Sequence, residues 1–193
     1  MEFLDLHKLT DESLLGSGKI LIAQPFMKDS VFARSVVFLC EHNEEGSVGF
    51  VLNQPTGMQI GDVVPEMEGA ELSVGQGGPV QLDTLHMLHR LPGEVGGNEV
   101  ASGVYWGGSF DALQQEILVD KVKATDLKLF IGYSGWSKGQ LADELKTGSW
   151  LIGDVSETLL FETDQEHIWE QAVNSLGREY QYLNNLPVDP QLN

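Results

Sequence analysis

Cysteine is almost missing from this chain: Cys40 is the single one in 193 residues, so no internal disulfide can form. Basic residues are few relative to acidic ones. Against 29 Asp and Glu stand 11 Lys and Arg, a formal net charge of −18 at pH 7. A phosphate backbone is held mainly by Lys and Arg that displace its counterions. Here the densest group, Lys121, Lys123 and Lys128, is interrupted by Asp120 and Asp126. Direct nucleic-acid binding is therefore not expected, and anionic membrane surfaces are disfavoured for the same reason. Long apolar runs are also lacking, since none approaches the ~18 residues that span a bilayer. The opening MEFLDLHKLTDE carries acids where a secretory signal carries positive charge. These absences together lead to the expectation of a cytoplasmic protein with neither signal peptide nor membrane span.

What is present is material for a core. Hydrophobic residues make up 41% of the chain, and no repeat, low-complexity tract or polar linker divides it, so a single domain over 1–193 is expected. Residues 19–24 (KILIAQ) and 35–42 (SVVFLCEH) read as strands, the first closed by Pro25. The second continues through the turn residues Asn43 to Gly46 into VGFVLN at 48–53, which Pro55 ends, giving a hairpin. Both hairpin strands are apolar at alternate and intervening positions, which predicts a central place in a sheet covered on two faces. Further strands are predicted near 72–76, 82–89, 99–105, 127–133 and 149–153.

Helices fall between and after these strands. Phe110, Leu113 and Ile117 recur at helical spacing behind Ser109, a good N-cap. Ser137 to Gln140 and Thr163 to Glu166 carry the capping-box pattern. After the second box the apolar stripe Ile168, Trp169, Ala172, Val173 and Leu176 predicts a helix over about 164–184 that packs on the sheet. The tail from Leu186, with Pro187 and Pro190, is expected to fray.

Several residues invite chemistry. Cys40 and His42, two apart on a predicted strand, should share a face, so the functional reading is a thiolate activated by imidazole, with Glu41 or another carboxylate orienting it. The plainer reading makes Cys40 a small core hydrophobe behind Val36 and Phe38. His86 and His89 could join Cys40 and His42 as zinc ligands, but on one strand they point to opposite faces, and no metal is assigned. Gly75, Gly77, Gly78 and Pro79 lack the glycine and lysine spacing of phosphate loops, leaving a tight turn and no cofactor. Gly132, Tyr133, Ser134, Gly135 and Trp136 fall one residue short of the nucleophile elbow G-x-S-x-G, and Gly132 and Gly135 more simply mark a strand-to-helix connection with Trp136 buried beside it. Asp29 and Arg34, five residues apart, are spaced for a loop-fixing ion pair or for a polar rim to a ligand, and the ion pair is the favoured reading.

Three blocks together, ILIAQPFMKDSVFARSVVFLCEHNEEGSVGFVLNQP from residue 20, GGPV at 77–80 and GYSGWSKGQL at 132–141, resemble the AlgH/YqgE family over about residues 18–153. The resemblance implies an α+β fold: a mixed or antiparallel, β-barrel-like sheet with helices packed outside, in a bacterial cytosolic protein. Members of that family carry the label of transcriptional regulators, and the AlgH name attaches to alginate regulation in pseudomonads. That label describes a pathway effect rather than a chemistry. The motif positions that carry over are Pro25, Asp29, Phe32, Arg34, Ser35, Glu41, His42, Gly46, Gly49, Asn53, Pro55, Gly77, Gly78, Pro79, Gly132, Trp136 and Gln140. This chain departs from the pattern at Ser134, where a small apolar residue is usual, which counts against a nucleophilic role there. Arg34, Glu41, His42 and Asn53 are the expected ligand or partner surface, because shared polar positions are less easily explained by packing. The resulting expectation is a non-enzymatic binding or regulatory protein acting indirectly on transcription through an unidentified protein or small-molecule partner. A hydrolase or redox protein using Cys40 and His42 is the alternative.

Overall fold

The computed structural model describes residues 6–27, 29–93 and 95–187. Among these residues ten strands and four α-helices follow one another as β1 (Lys19–Ala23), β2 (Val36–Asn43), β3 (Gly46–Val51), β4 (Pro55–Gln59), α1 (Ile60–Val63), β5 (Ser73–Gln76), β6 (Val80–His89), β7 (Asn98–Ala101), β8 (Val104–Trp106), α2 (Phe110–Leu118), β9 (Leu127–Ser137), α3 (Gln140–Lys146), β10 (Trp150–Asp154) and α4 (Ile168–Ser175). All the strands join one curled, mainly antiparallel sheet in the order β10-β1-β2-β3-β9-β6-β8-β7, with β5 parallel to β9 and β4 on β5. The fold is α+β, with the sheet forming half a barrel.

The apolar runs explain the layering. In β1 and β2 every second side chain, Ile20, Ile22, Val36 and Phe38, enters a cluster completed by Phe50, Leu88 and Phe130 and by Ile168, Trp169 and Val173 of α4. The intervening Leu21, Val37 and Leu39 meet Leu141 and Leu145 of α3, with Trp136 and Trp150. The hairpin is thus central and buried on both faces, as its pattern predicts. A third cluster, around Met87, Leu129 and Val74, is closed by Ile60 of α1 and Leu113 of α2.

β9 is the spine. One edge pairs with β6, while the other pairs with β5 over Leu129–Ile131 and then with β3 over Ser134–Ser137. The change of partner falls at Gly132, whose φ of +64° bends the strand.

Several boundaries differ from expectation for local reasons. The strand expected at 99–105 is a hairpin, β7 and β8, turned at Gly103 with φ +73°. Pro55 opens β4 instead of closing a strand, which an edge position paired only to β5 permits. The helix expected over 164–184 is split into a 3₁₀ turn, α4 and a second 3₁₀ stretch from Arg178 to Asn185, because Gly177 stands between the last two at φ +130°. Ser109 caps α2 as expected. At the other two boxes the hydroxyl does not cap: Gln140 accepts from the Ser137 amide, and Thr163 donates back to the Thr158 carbonyl. Of the tail expected to fray, residues 188–193 lie outside the described residues.

Candidate functional site

The four polar residues singled out from sequence lie at two ends of β2. Asn53 spends both halves of its side-chain amide on the neighbouring backbone: Oδ1 accepts from Val36 N and Nδ2 donates to the Arg34 carbonyl, each at 2.9 Å. Arg34, in a left-handed conformation at φ +50°, lays its guanidinium over the Trp169 ring, 4.6 Å from the centroid, and donates to the Leu186 carbonyl. The expected Asp29–Arg34 ion pair is absent among the described residues. Asp29 instead accepts from the Val31 amide and stabilises its own turn. Glu41 and His42 sit at the far end of β2, roughly 20 Å away along the strand. There Glu41 accepts from Asn43 and His42 Nδ1 meets Ser47 Oγ at 2.8 Å.

The shared face expected for Cys40 and His42 is overturned by a β-bulge. Leu39 pairs with Gly49, but Glu41 pairs with Val48 and His42 with Ser47, so Cys40 is the extra residue. Paired residues share a face, and His42 therefore stands on the face of Leu39 while Cys40 faces the main core cluster. Cys40 is buried at 4% exposure, and burial pushes its thiol pKa well up. Ser134 is 1% exposed and donates to the Gly77 carbonyl. β9 continues past it to Ser137, so the sharp strand-to-helix turn of a nucleophile elbow does not form.

His86 and His89 do point to opposite faces. His86 lies against Phe50, with ring centroids 5.1 Å apart. His89 is fully buried: its Nδ1 accepts from Leu91 N at 3.1 Å, leaving Nε2–H to donate to the Gly107 carbonyl at 2.8 Å. Burial lowers the pKa of both rings. The Gly77–Gly78 turn is a backbone crossing, since a Cβ on Gly78 would lie 2.3 Å from the Tyr133 carbonyl.

A different constellation forms where β9 ends. Trp136 near its end, Glu144 on α3 and Trp150 at the start of β10 converge. Both indole N–H groups donate to one oxygen, Glu144 Oε2, at 2.9 Å from Trp136 and 2.7 Å from Trp150. Gln140, one helical turn before Glu144, donates to its other oxygen, Oε1, at 3.0 Å. The two indoles meet edge to face at 6.2 Å, and Phe32 packs on Trp150 in the same manner at 5.5 Å.

These groups wall a cavity of about 470 Å³ between α3 and the loop after β1, which brings Phe26, Met27 and Asp29 to its rim. Phe26 is half exposed there. The size is that of a small-ligand site, and the lining of aromatic surface with a few fixed polar groups is of the same kind. Sequence reasoning missed Glu144. The available signal was its place one turn after Gln140, between two tryptophans.

Comparison with known proteins is decisive at this point. A family model described as AlgH-like matches residues 20–181. The chain belongs to the AlgH-like family. A UPF0301 protein of Chlorobaculum tepidum is 40% identical over 188 residues, covering 96% of this chain and all of that one. One of Bacteroides fragilis is 37% identical over 194 residues, covering 98% of this chain and 97% of its own. Among solved structures, the AlgH protein of Pseudomonas aeruginosa superposes with a TM-score of 0.71 at 28% identity, covering 89% of this chain and 94% of that one. Protein DIP2367 of Corynebacterium diphtheriae gives 0.73 at 20% identity over 88% of this chain and 91% of its own, a likeness of fold. Of the motif positions behind the family resemblance, Asp29, Phe32, Pro79, Trp136 and Gln140 line the cavity around Glu144. Among the described residues no helix is long and apolar enough to cross a membrane.

Proposed function

We propose that this AlgH-like protein is a non-enzymatic cytoplasmic binding protein whose recognition site is the cavity beside Glu144. The observation that carries the reading is the held carboxylate. Three neutral N–H donors fix Glu144 at the back of an open cavity with aromatic walls. A preorganised polar group among aromatic surfaces loses little entropy on binding, which is how a recognition site gains affinity. Asn53, in contrast, has both halves of its side-chain amide engaged by the protein's own backbone, while Arg34 gives one N–H to the Leu186 carbonyl and lies over the Trp169 ring, its Nε buried without a partner among the described residues. With the charge of −18, an effect on transcription would be indirect, exerted through the bound ligand or partner.

A thermal-shift screen against nucleotides, metabolites, amines and small anions tests this. Ligand at ~100 times its dissociation constant adds about 2.7 kcal/mol, a shift of roughly 5 to 11 °C for a domain of this size. The hit should vanish in Phe26→Ala, whose side chain is already half exposed. A hit that survives both Phe26→Ala and Asp29→Ala unchanged would place recognition elsewhere and refute the proposal.

A further inference from the structure

We infer that the ligand of this cavity is an organic cation, an alkylammonium or guanidinium head group. This rests on the binding reading above and adds the chemistry. Among the described residues Glu144 is held only by neutral donors: two indole N–H groups fill Oε2 and one amide N–H meets Oε1. A carboxylate offers about four lone-pair positions, so Oε1 retains acceptor capacity. Among the described residues, the carboxylate of Asp29, at the rim, accepts only from a backbone amide. Among the described residues no ion pair involves Glu144 or Asp29. The cavity therefore contains two carboxylates without a cationic partner among those residues.

The walls suit the same ligand. Phe26, Phe32 and Trp136 line the cavity, and aromatic faces attract cations through their quadrupole. A phosphate or carboxylate ligand would be repelled by Glu144 and Asp29 in a partly desolvated space. A neutral aromatic ligand could stack there but would leave both charges uncompensated. An acidic protein of net charge −18 adds a long-range field of the sign that draws cations in.

The test uses the ¹⁵N-labelled full chain and the indole Nε1–H resonances of its tryptophans. Trp136 and Trp150 report on the cavity, while Trp169, which donates to the Ala23 carbonyl at 2.9 Å, is a buried control. The probes are tetramethylammonium and propylguanidinium, their neutral counterparts 3,3-dimethylbutan-1-ol and propylurea, and isobutyrate as an anion. The inference predicts saturable shifts of Trp136 and Trp150 with the cations alone, the Trp169 resonance staying fixed. Binding should weaken as salt is raised. Asp29→Asn, which keeps a side-chain oxygen for the turn, should weaken it, and Glu144→Gln should do so by about tenfold.

An acetyl-Gly-Arg-Gly-amide peptide separates the two sources of such a head group. Affinity well above that of propylguanidinium identifies a protein segment, and equal affinity identifies a free small molecule; both outcomes support the cation. If the neutral or anionic probes move the indoles and the cations do not, the charge assignment is overturned while the cavity remains a binding site. If no probe moves Trp136 or Trp150, both fail.

Discussion

Removing the Glu144 carboxylate should destabilise the protein far more than losing a partly buried glutamate on a short helix ordinarily would. In Glu144→Ala the helix itself loses nothing, since alanine is the better helix former. The loss lies in the indoles. Trp150 is 1% exposed and Trp136 6% exposed, so their N–H groups are left facing a site that the protein has largely dried. Each unpaired buried donor costs about 1 to 3 kcal/mol. Gln140 is exposed and exchanges its bond for water at little cost. The open cavity admits some water to the indoles, so a total of about 2 to 4 kcal/mol is expected. For a domain of this length that lowers Tm by roughly 4 to 16 °C. Urea unfolding monitored by tryptophan fluorescence measures the difference directly. Glu144→Gln, which retains an acceptor, should lose less. A loss below about 0.5 kcal/mol in Glu144→Ala, the range of ordinary surface substitutions, would refute the reasoning.

Asn53→Ala removes both bonds that fix the Arg34–Val36 backbone and should cost about 1 to 3 kcal/mol in urea unfolding; a near-neutral result would show that the bracket is dispensable. His89 has its pKa lowered by burial from 6.5, so the unfolded chain binds the proton more readily than the folded one. Its contribution is complete above pH 6.5 and is lost as pH falls toward the depressed folded value. Stability measured against pH should therefore fall less steeply below pH 6.5 in His89→Gln than in the unsubstituted chain, and equal slopes would contradict the assignment. Gly78→Ala drives a methyl group to within 2.3 Å of the Tyr133 backbone and should cost about 3 kcal/mol or prevent folding; an unchanged unfolding midpoint would mean that the crossing relaxes freely.

Much of the sheet was legible because burial on two faces leaves a direct trace: ILIA at 20–23 and VVFLC at 36–40 have no charged or strongly polar position, and a strand of that kind fits only the middle of a covered sheet. Pro55 misled because a missing N–H ends a central strand yet is harmless on an edge. The glycines of GYSGW read as a connection, although one of them, Gly132, only bends a strand that runs on to Ser137. The bulge at Cys40 left no local signal, and it reverses which residues share a face. The site was harder still. Phe32, Trp136 and Gln140 were among the motif positions, but their meaning depends on Glu144 and Trp150, and Trp150 reaches Trp136 only because β10 returns along β1 to the same face. Of the polar residues favoured from sequence, Asn53 is explained by its two backbone contacts and Arg34 by its place over Trp169 with one bond to the Leu186 carbonyl, none of which a spacing rule reveals.

The central claim is that recognition occurs at the Glu144 cavity, and hydrogen exchange measured by mass spectrometry tests it most directly. The protein would be compared with and without the dialysable fraction of a bacterial extract. The account predicts added protection confined to residues 24–32 and 134–150, lost in Phe26→Ala. Protection centred instead on residues 41–47, or none anywhere, would contradict it.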